Sequence, residues 1–466
     1  MGQLIDSQSH VSRPDVGVIR WLRDTCGCER CCCWSARGAA TLGRVTTDLA
    51  AGPWSPLRVR VYRWLWIAGL VSNVGTFMHL VAANWTIATL SSSPTLVSMV
   101  QASWAVPGFL LALHAGAFAD LLDRRKFIIA TQVAALLVAA ALAVAQRSGA
   151  MTPTVLLAGT FLESMALTFA APAFMALTPE LVDAQTLPQA IGLDGISRNA
   201  AQTVGPALAG GVIAFAGPGA VFALNAVSFL GVIAVVNAYR GGAVRPTRPE
   251  AVNAAIRVGV RYVGSRAVLR NPIIRLATMT AVGAGLAAVM PLVARQRLHV
   301  SAGGFGLLSA ALGLGSVGAV WLLPRLHAAR YPERAVLIAA LVWSGGTALF
   351  AAGEQLWVGA LALLLAGAGT MGMLNVLFSN YTLTLEGWVR GRGSALAMLM
   401  VWLGTSVGAV AWGGIATGVG VRQALFIAAG LNVVVALVAP LIAPVTPYSP
   451  DAVSLVASPI APYGPS

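Results

Sequence analysis

Residues 64–119 read WLWIAGLVSNVGTFMHLVAANWTIATLSSSPTLVSMVQASWAVPGFLLALHAGAFA, 56 positions without one Asp, Glu, Lys or Arg between Arg63 and Asp120. A helix needs about 20 mostly apolar residues to cross about 30 Å of hydrocarbon at 1.5 Å per residue. The stretch therefore has room for two membrane spans. The whole chain shares this texture: of 466 residues 57% are hydrophobic and 10% charged, against roughly 25% charged in a soluble domain. That composition excludes a cytosolic enzyme.

Charge-poor runs predict spans near 64–88, 96–119, 127–146, 153–176, 190–216 and 218–239, and, after a polar linker, near 274–294, 303–324, 335–353, 356–384, 394–417 and 422–443. The fold class read from this is an all-α membrane protein of twelve transmembrane helices in two six-helix bundles. The predicted organisation is an N-terminal tail over 1–60, a first bundle over 61–240, a basic linker over 241–272, a second bundle over 273–444 and a Pro-rich disordered tail over 445–466. In the linker Val252, Ile256, Val260 and Val263 repeat at helical spacing, with Arg257 and Arg261 elsewhere on the cylinder. This suggests an amphipathic helix on the inner membrane surface, with a solvated tether as the alternative.

Placing both chain ends in the cytoplasm puts 25 of the 30 basic residues on the inner side, which is the asymmetry of the positive-inside rule. The formal charge of +14 is then a topology signal. The arginines are spread over several inner loops rather than gathered on one soluble face, which argues against a nucleic-acid partner.

All five cysteines (Cys26, Cys28, Cys31, Cys32, Cys33) lie in the tail, so no disulfide staples the apolar body. Their spacing could hold a soft metal ion, or the tail is a disordered extension. The only lysine is Lys126, followed by Phe127, so no phosphate-cradling Gly-Lys-Ser/Thr loop exists. Neither His-Glu-x-x-His nor Gly-x-Ser-x-Gly occurs. No cofactor and no catalytic residue is expected.

An internal repeat supports the six-plus-six reading. Val204-Gly205-Pro206-Ala207-Leu208-Ala209-Gly210-Gly211 and Val407-Gly408-Ala409-Val410-Ala411-Trp412-Gly413-Gly414 share V-G-x-x-x-x-G-G, with Gly205 and Gly408 203 residues apart. A transporter built from parallel repeats shows this, with its substrate site near midplane between the halves. Small residues alone say less, since they let helices pack closely in any membrane protein.

The segment Gly116-Ala-Phe-Ala-Asp120-Leu-Leu-Asp123-Arg124-Arg125-Lys126 resembles the signature loop of the major facilitator superfamily, G-x-x-x-D-x-x-G-R-R, with Asp123 where many members have Gly. The Asp-Arg-Arg form is similar to the enterobactin-exporter-like and macrolide-efflux-like branch. The resemblance extends over 60–444, through Leu70–Met78, Pro172-Ala173, Gly205-Pro206 and Arg390-Gly391-Arg392. It implies a conformational latch of Gly116, Asp120, Asp123, Arg124 and Arg125, with Asp120 near the start of span eleven at Ser394. A helix N-terminus stabilises a carboxylate there by roughly 0.3 to 2 kcal/mol. The basic residues either hold the loop at the anionic leaflet or only set topology. Gly192, Gly205, Pro206 and Gly210 partly match the exporters' glycine-proline signature in span five, with Ala201 and Ala209 where glycines are expected; Gly205, Pro206, Gly210 and Gly211 read as a bend or a tight seal.

Few ionisable residues lie within spans, and each is costly unless paired or hydrated. Glu163 falls near midplane in span four and Arg198 about 12 Å into span five. The two are expected to meet, with Asp194 one turn before Arg198 on the same face. Glu163 either takes up and releases a proton during transport, tuned by Arg198, or forms a permanent ion pair. His114 and His79 are weaker proton candidates. Phe77, Met78, Trp85 and Trp104 are candidates for the cavity wall, or for packing.

The resemblance implies alternating-access transport, and most closely proton-coupled efflux of a small amphipathic molecule such as a drug, a macrolide-like compound or a siderophore. The partners expected are that substrate, protons and the lipid bilayer of the plasma membrane, with the protein a monomer. Nutrient uptake, or a membrane sensor acting through the Cys-rich tail, are the rivals.

Overall fold

The computed structural model describes residues 52–239, 260–322, 331–386 and 389–445. The cysteine run, residues 240–259 of the linker and the C-terminal tail, with the expectations attached to them, lie outside the described residues. Among the described residues twelve long helices follow a short 3-10 turn at Ser55–Arg58: α1 Arg60–Leu90, α2 Pro94–Leu121, α3 Arg124–Arg147, α4 Pro153–Leu181, α5 Leu187–Ala216 and α6 Pro218–Ala238, then α7 Ala267–Gln296, α8 Ala302–Leu322, α9 Pro332–Ala352, α10 Leu356–Thr384, α11 Arg390–Val419 and α12 Val421–Ile442. Eleven are long and apolar enough to cross a membrane. The remaining helix, α5, is more polar because it carries Gln189, Asp194, Ser197, Arg198, Asn199, Gln202 and Thr203.

The helix ends follow local chemistry. Pro94, Pro153, Pro218 and Pro332 each open a helix, where the missing N–H would have had no partner. Asp123 caps α3 by accepting from the Lys126 N–H at 3.1 Å, and Thr152 caps α4 by accepting from Val155 at 3.2 Å. Gly217 and Gly420 turn α5 into α6 and α11 into α12 at φ +77° and +91°, a backbone region that favours glycine.

Shifting every helix number by six maps one half onto the other. In the first half α1 packs on α5 and α6, α2 on α4, and α3 on α4 and α6. In the second, α7 packs on α11 and α12, α8 on α10, and α9 on α10 and α12. Between the halves α2 meets α11 and α5 meets α8, two contacts that the same shift exchanges. That is the signature of a pseudo-twofold axis. The register is tight: α4 and α10, and likewise α5 and α11, begin and end 203 residues apart.

The repeated glycines do the same work in both copies. A Cβ on Gly205 would lie 2.8 Å from Phe77 Cβ on α1, and one on Gly408 would strike the backbone of Ala281 on α7, so the first glycine packs a helix within its own half. A Cβ on Gly210 would lie 2.6 Å from the Gly306 Cα on α8, and one on Gly413 would strike Ser98 on α2, so the second glycine joins the halves. Gly211 and Gly414 both face open space. Pro206 is buried inside α5, its carbonyl against Gly306.

Because α1 and α12 are the first and last of an even number of spans, the start of α1 and the end of α12 share one face, here the terminal face. Among the described residues, contacts between the halves concentrate toward the other face. There Thr95 and Thr417 hydroxyls lie 2.9 Å apart, Trp85 stacks on Phe305 at 5.6 Å, and Arg295 donates to the Ala88 carbonyl. The seal continues inward to Gly108 against Trp402 and to Gly313 against the Gln202 carbonyl.

Candidate functional site

Two polar assemblies sit within the first half. The inner one is built from α1, α4 and α6, and all its members are buried. Glu163 Oε1 accepts a 2.7 Å hydrogen bond from Asn225 Nδ2. Glu163 Oε2 lies 3.2 Å from His79 Nδ1 but off the line of the ring N–H, so neither atom has a hydrogen-bond partner, nor does Asn225 Oδ1. His79 Nε2 lies 3.4 Å from the Thr160 hydroxyl, and its ring is 5.2 Å from Phe222. Gly75 makes the room, since a Cβ there would come within 2.8 Å of Asn225 Oδ1 and Ser228 Oγ.

The second half shows that packing does not require these groups. The positions 203 residues after Thr160, Glu163 and Asn225 are Leu363, Ala366 and Ala428, all at 0% exposure in the same helix contacts. An imidazole and a carboxyl with open lone pairs, buried side by side, are suited to hold one mobile proton.

The expected meeting of Glu163 with Arg198 does not occur. Glu163 turns toward α1 and α6, while Arg198 is exposed in a separate cavity of about 420 Å³. This second assembly lies in the terminal-face half of α1, α4 and α5, walled by Tyr62, Trp66, Asn73, Phe174, Asp194 and Arg198 among others. The Tyr62 hydroxyl is 3.0 Å from the Ala190 carbonyl and 3.3 Å from Asp194 Oδ1. Trp66 Nε1 donates to the Leu193 carbonyl at 2.9 Å, and Asn73 Nδ2 to Ser197 Oγ at 3.1 Å. Asp194 and Arg198 share one face of α5 as expected.

Twelve long helices in two pseudo-symmetric sets, with polar groups held inside one set, form the frame of a secondary transporter. The family model described as transmembrane secretion effector matches residues 51–458. The chain belongs to this family of major facilitator superfamily transporters. Its family and its fold are those of multi-pass membrane transporters. Over 233 residues it is 28% identical to an uncharacterized MFS-type transporter, y4rN, of Sinorhizobium fredii, a match covering 49% of this chain and 57% of the relative. Over 142 residues it is 28% identical to the Staphyloferrin A transporter of Staphylococcus aureus, covering 30% of this chain and 36% of that one. The chain thus spans about half or less of the length of these curated relatives. A solved bacterial homolog of the human lysosomal transporter Spinster, in an inward-facing and unoccupied conformation, shares the fold at a TM-score of 0.68 and 13% identity, covering 87% of this chain and 99% of that one.

In this transporter the other predicted residues fall in different places. His114 is exposed on α2 and is not among the groups facing Glu163. Met78 is buried in the core and Phe77 packs against Gly205. Trp85 joins the seal, and the Trp104 carbonyl accepts from Ser164 at 2.6 Å. None of these four walls the 420 Å³ cavity. The aromatic residues that wall that cavity are Tyr62, Trp66 and Phe174.

The signature loop is anchored within its own half. Arg124 pairs with Glu180 at the end of α4. Arg125 Nε donates to the Val236 carbonyl at 3.1 Å, and its Nη2 to the Asn237 carbonyl and side chain at 2.5 and 2.9 Å, filling acceptors left open at the end of α6. Asp123 is the α3 cap, Gly116 borders open space, and the side chain of Asp120 lies outside the described residues.

Sequence reasoning missed the corresponding anchors of the second half. Glu333 at the start of α9 accepts from Arg275 Nη1 at 2.6 Å and from the Val445 N–H at 2.7 Å. Glu386, beyond α10, accepts from the Tyr262 hydroxyl at 2.7 Å and pairs with Arg266. Burial and the Glu386 carboxylate push the Tyr262 hydroxyl up to about 12.

Proposed function

We propose that the transporter is a proton-coupled exporter of small amphipathic molecules in the plasma membrane, with both chain ends in the cytoplasm, working by rocking of its two bundles (61–240 and 273–444) about their shared axis. The observation that carries this reading is the uneven distribution of contacts between the halves. Among the described residues they gather toward the face away from the chain ends, and the 420 Å³ cavity lies toward the terminal face. With the termini in the cytoplasm, this arrangement is the inward-facing state, ready to load from inside. The concentration of basic residues on that face supports the orientation.

The Glu163–His79 pair is the proposed proton site. It sits beside the α1–α4 contact rather than in the cavity, so proton and cargo act on the same helices from different positions. The relative named for staphyloferrin A keeps siderophores among the candidate cargoes, alongside drugs and macrolide-like compounds. The signature loop, with Asp120 at its head, is the proposed latch of the outward-facing state.

Inverted membrane vesicles test this. A pH gradient, acid inside, should drive accumulation of cargo in vesicles holding the wild type. Glu163→Gln should abolish the gradient-driven component while leaving the protein in the membrane. Unchanged accumulation in that variant would remove the coupling role, and accumulation only in right-side-out vesicles would reverse the direction.

A further inference from the structure

Among the described residues, Arg198 is a cation in a membrane helix without a committed partner. It stands 11 residues past Leu187, about 17 Å along α5. Among the described residues its guanidinium makes no hydrogen bond and no ion pair, and the carboxylate that shares its helix face and the cavity wall is Asp194, one turn earlier. Asp194 is already engaged, with the Tyr62 hydroxyl 3.3 Å from its Oδ1. A guanidinium at such depth is costly unless water or an anion meets it. The cavity supplies the place for that meeting.

The surroundings specify more than charge. Trp66 is fixed by its bond to the Leu193 carbonyl, and Phe174 offers a second aromatic wall. Asn73 and Ser197, held 3.1 Å apart, place an amide and a hydroxyl beside the same space. A volume of about 420 Å³ is within the range of drug-sized ligand sites. A guanidinium fork matches a carboxylate in two parallel hydrogen bonds, which an ammonium does not.

We infer that the α1–α4–α5 cavity is a binding site for amphipathic organic anions, in which Arg198 receives a carboxylate and Trp66 and Phe174 receive the apolar body. Asp194 opposes the anion and keeps the site from holding it too tightly to release. This assignment rests on the transport reading above and narrows its cargo to carboxylate-bearing molecules.

The test is equilibrium binding of naproxen, an aryl carboxylate, and of its neutral primary amide to the purified full-length protein in detergent. Wild type should prefer naproxen by about tenfold or more. Arg198→Gln should reduce this preference to near unity, and the charge-keeping Arg198→Lys should retain part of it. Asp194→Asn should tighten naproxen binding, an outcome that a merely structural role for the Asp194–Arg198 pair would not give. Equal binding of acid and amide to wild type, an undiminished preference in Arg198→Gln, or weaker naproxen binding in Asp194→Asn would each overturn the assignment. Arg198-dependent binding without naproxen uptake into inverted vesicles leaves the anion site standing and counts against export. Gradient-driven uptake of other cargo, with no preference for the carboxylate, overturns the anion site alone.

Discussion

Gly210 of α5 and Gly306 of α8 meet backbone to backbone, so closely that a Cβ on Gly210 would lie 2.6 Å from the partner's Cα. The contact joins the two halves. Its pseudo-symmetric counterpart is Gly413 of α11 against Ser98 of α2, where a Cβ would also find no room. Two small-residue crossings on either side of the pseudo-twofold axis thus make a seal of van der Waals contact, with little side-chain entropy to lose each time it re-forms. A seal of this kind can open and close without breaking a buried ion pair.

Gly306→Val should therefore leave the helices inserted but prevent the seal. The readout is disulfide cross-linking of Thr95→Cys with Thr417→Cys, whose hydroxyls lie 2.9 Å apart, in a background with the five tail cysteines replaced. Cross-linking should be rapid while Gly306 is intact and several-fold slower once Gly306→Val is added. Equal rates would mean that the crossing tolerates a side chain.

At the terminal face, Arg125 makes three hydrogen bonds to the end of α6, and Lys126 next to it is exposed. Arg125→Ala should lower stability by about 1 to 3 kcal/mol, because it leaves the carbonyls of Val236 and Asn237 without their donor. Lys126→Ala should change it by under about 0.5 kcal/mol. Thermal melting of the purified variants in detergent compares them directly, and equal melting temperatures would refute the anchoring role.

Much of this arrangement is legible in the sequence. The 203-residue offset of Gly205 and Gly408 is also the offset of α4 from α10 and of α5 from α11, because one repeat unit sets both glycines and helix ends. The partners of Glu163 are not legible. Counting residues gives depth along a helix but not which way a side chain faces, and at similar depth Arg198 is the obvious mate. The fold turns Arg198 to a cavity and brings His79 and Asn225 to Glu163 from α1 and α6, helices 84 and 62 positions away by residue number. The glycines hid a division of labour for the same reason. One faces its own half, one the other half, and one open space, at successive angles around a single helix.

The alanines at the repeat-equivalent positions of the polar cluster allow a sharp test. Asn225→Ala alone strips Glu163 of its 2.7 Å donor and should cost about 1 to 3 kcal/mol. Adding Glu163→Ala reproduces the alanines that stand at the equivalent positions, Ala366 and Ala428, and removes the stranded group, so the double variant should be at least as stable as Asn225→Ala. Gradient-driven transport should be absent from the double variant. A double variant clearly less stable than Asn225→Ala would show that the cluster is a structural requirement of the first half.

Arg275 is 2% exposed, and its counter-ion Glu333 is 30% exposed, so the pair straddles the edge of the second half. Glu333 also accepts from the Val445 N–H, tying the segment after α12 to the start of α9. Glu333→Ala should leave a buried guanidinium uncompensated and cost about 3 to 5 kcal/mol, most of it from the stranded charge rather than the lost attraction. Replacing Arg275 by Met in the same chain should return much of that loss, since Met fills the space without a charge. Melting temperatures of the wild type, Glu333→Ala and the double variant decide it. If the second change brings no recovery, the cost lies in the tether to Val445 and not in the buried arginine.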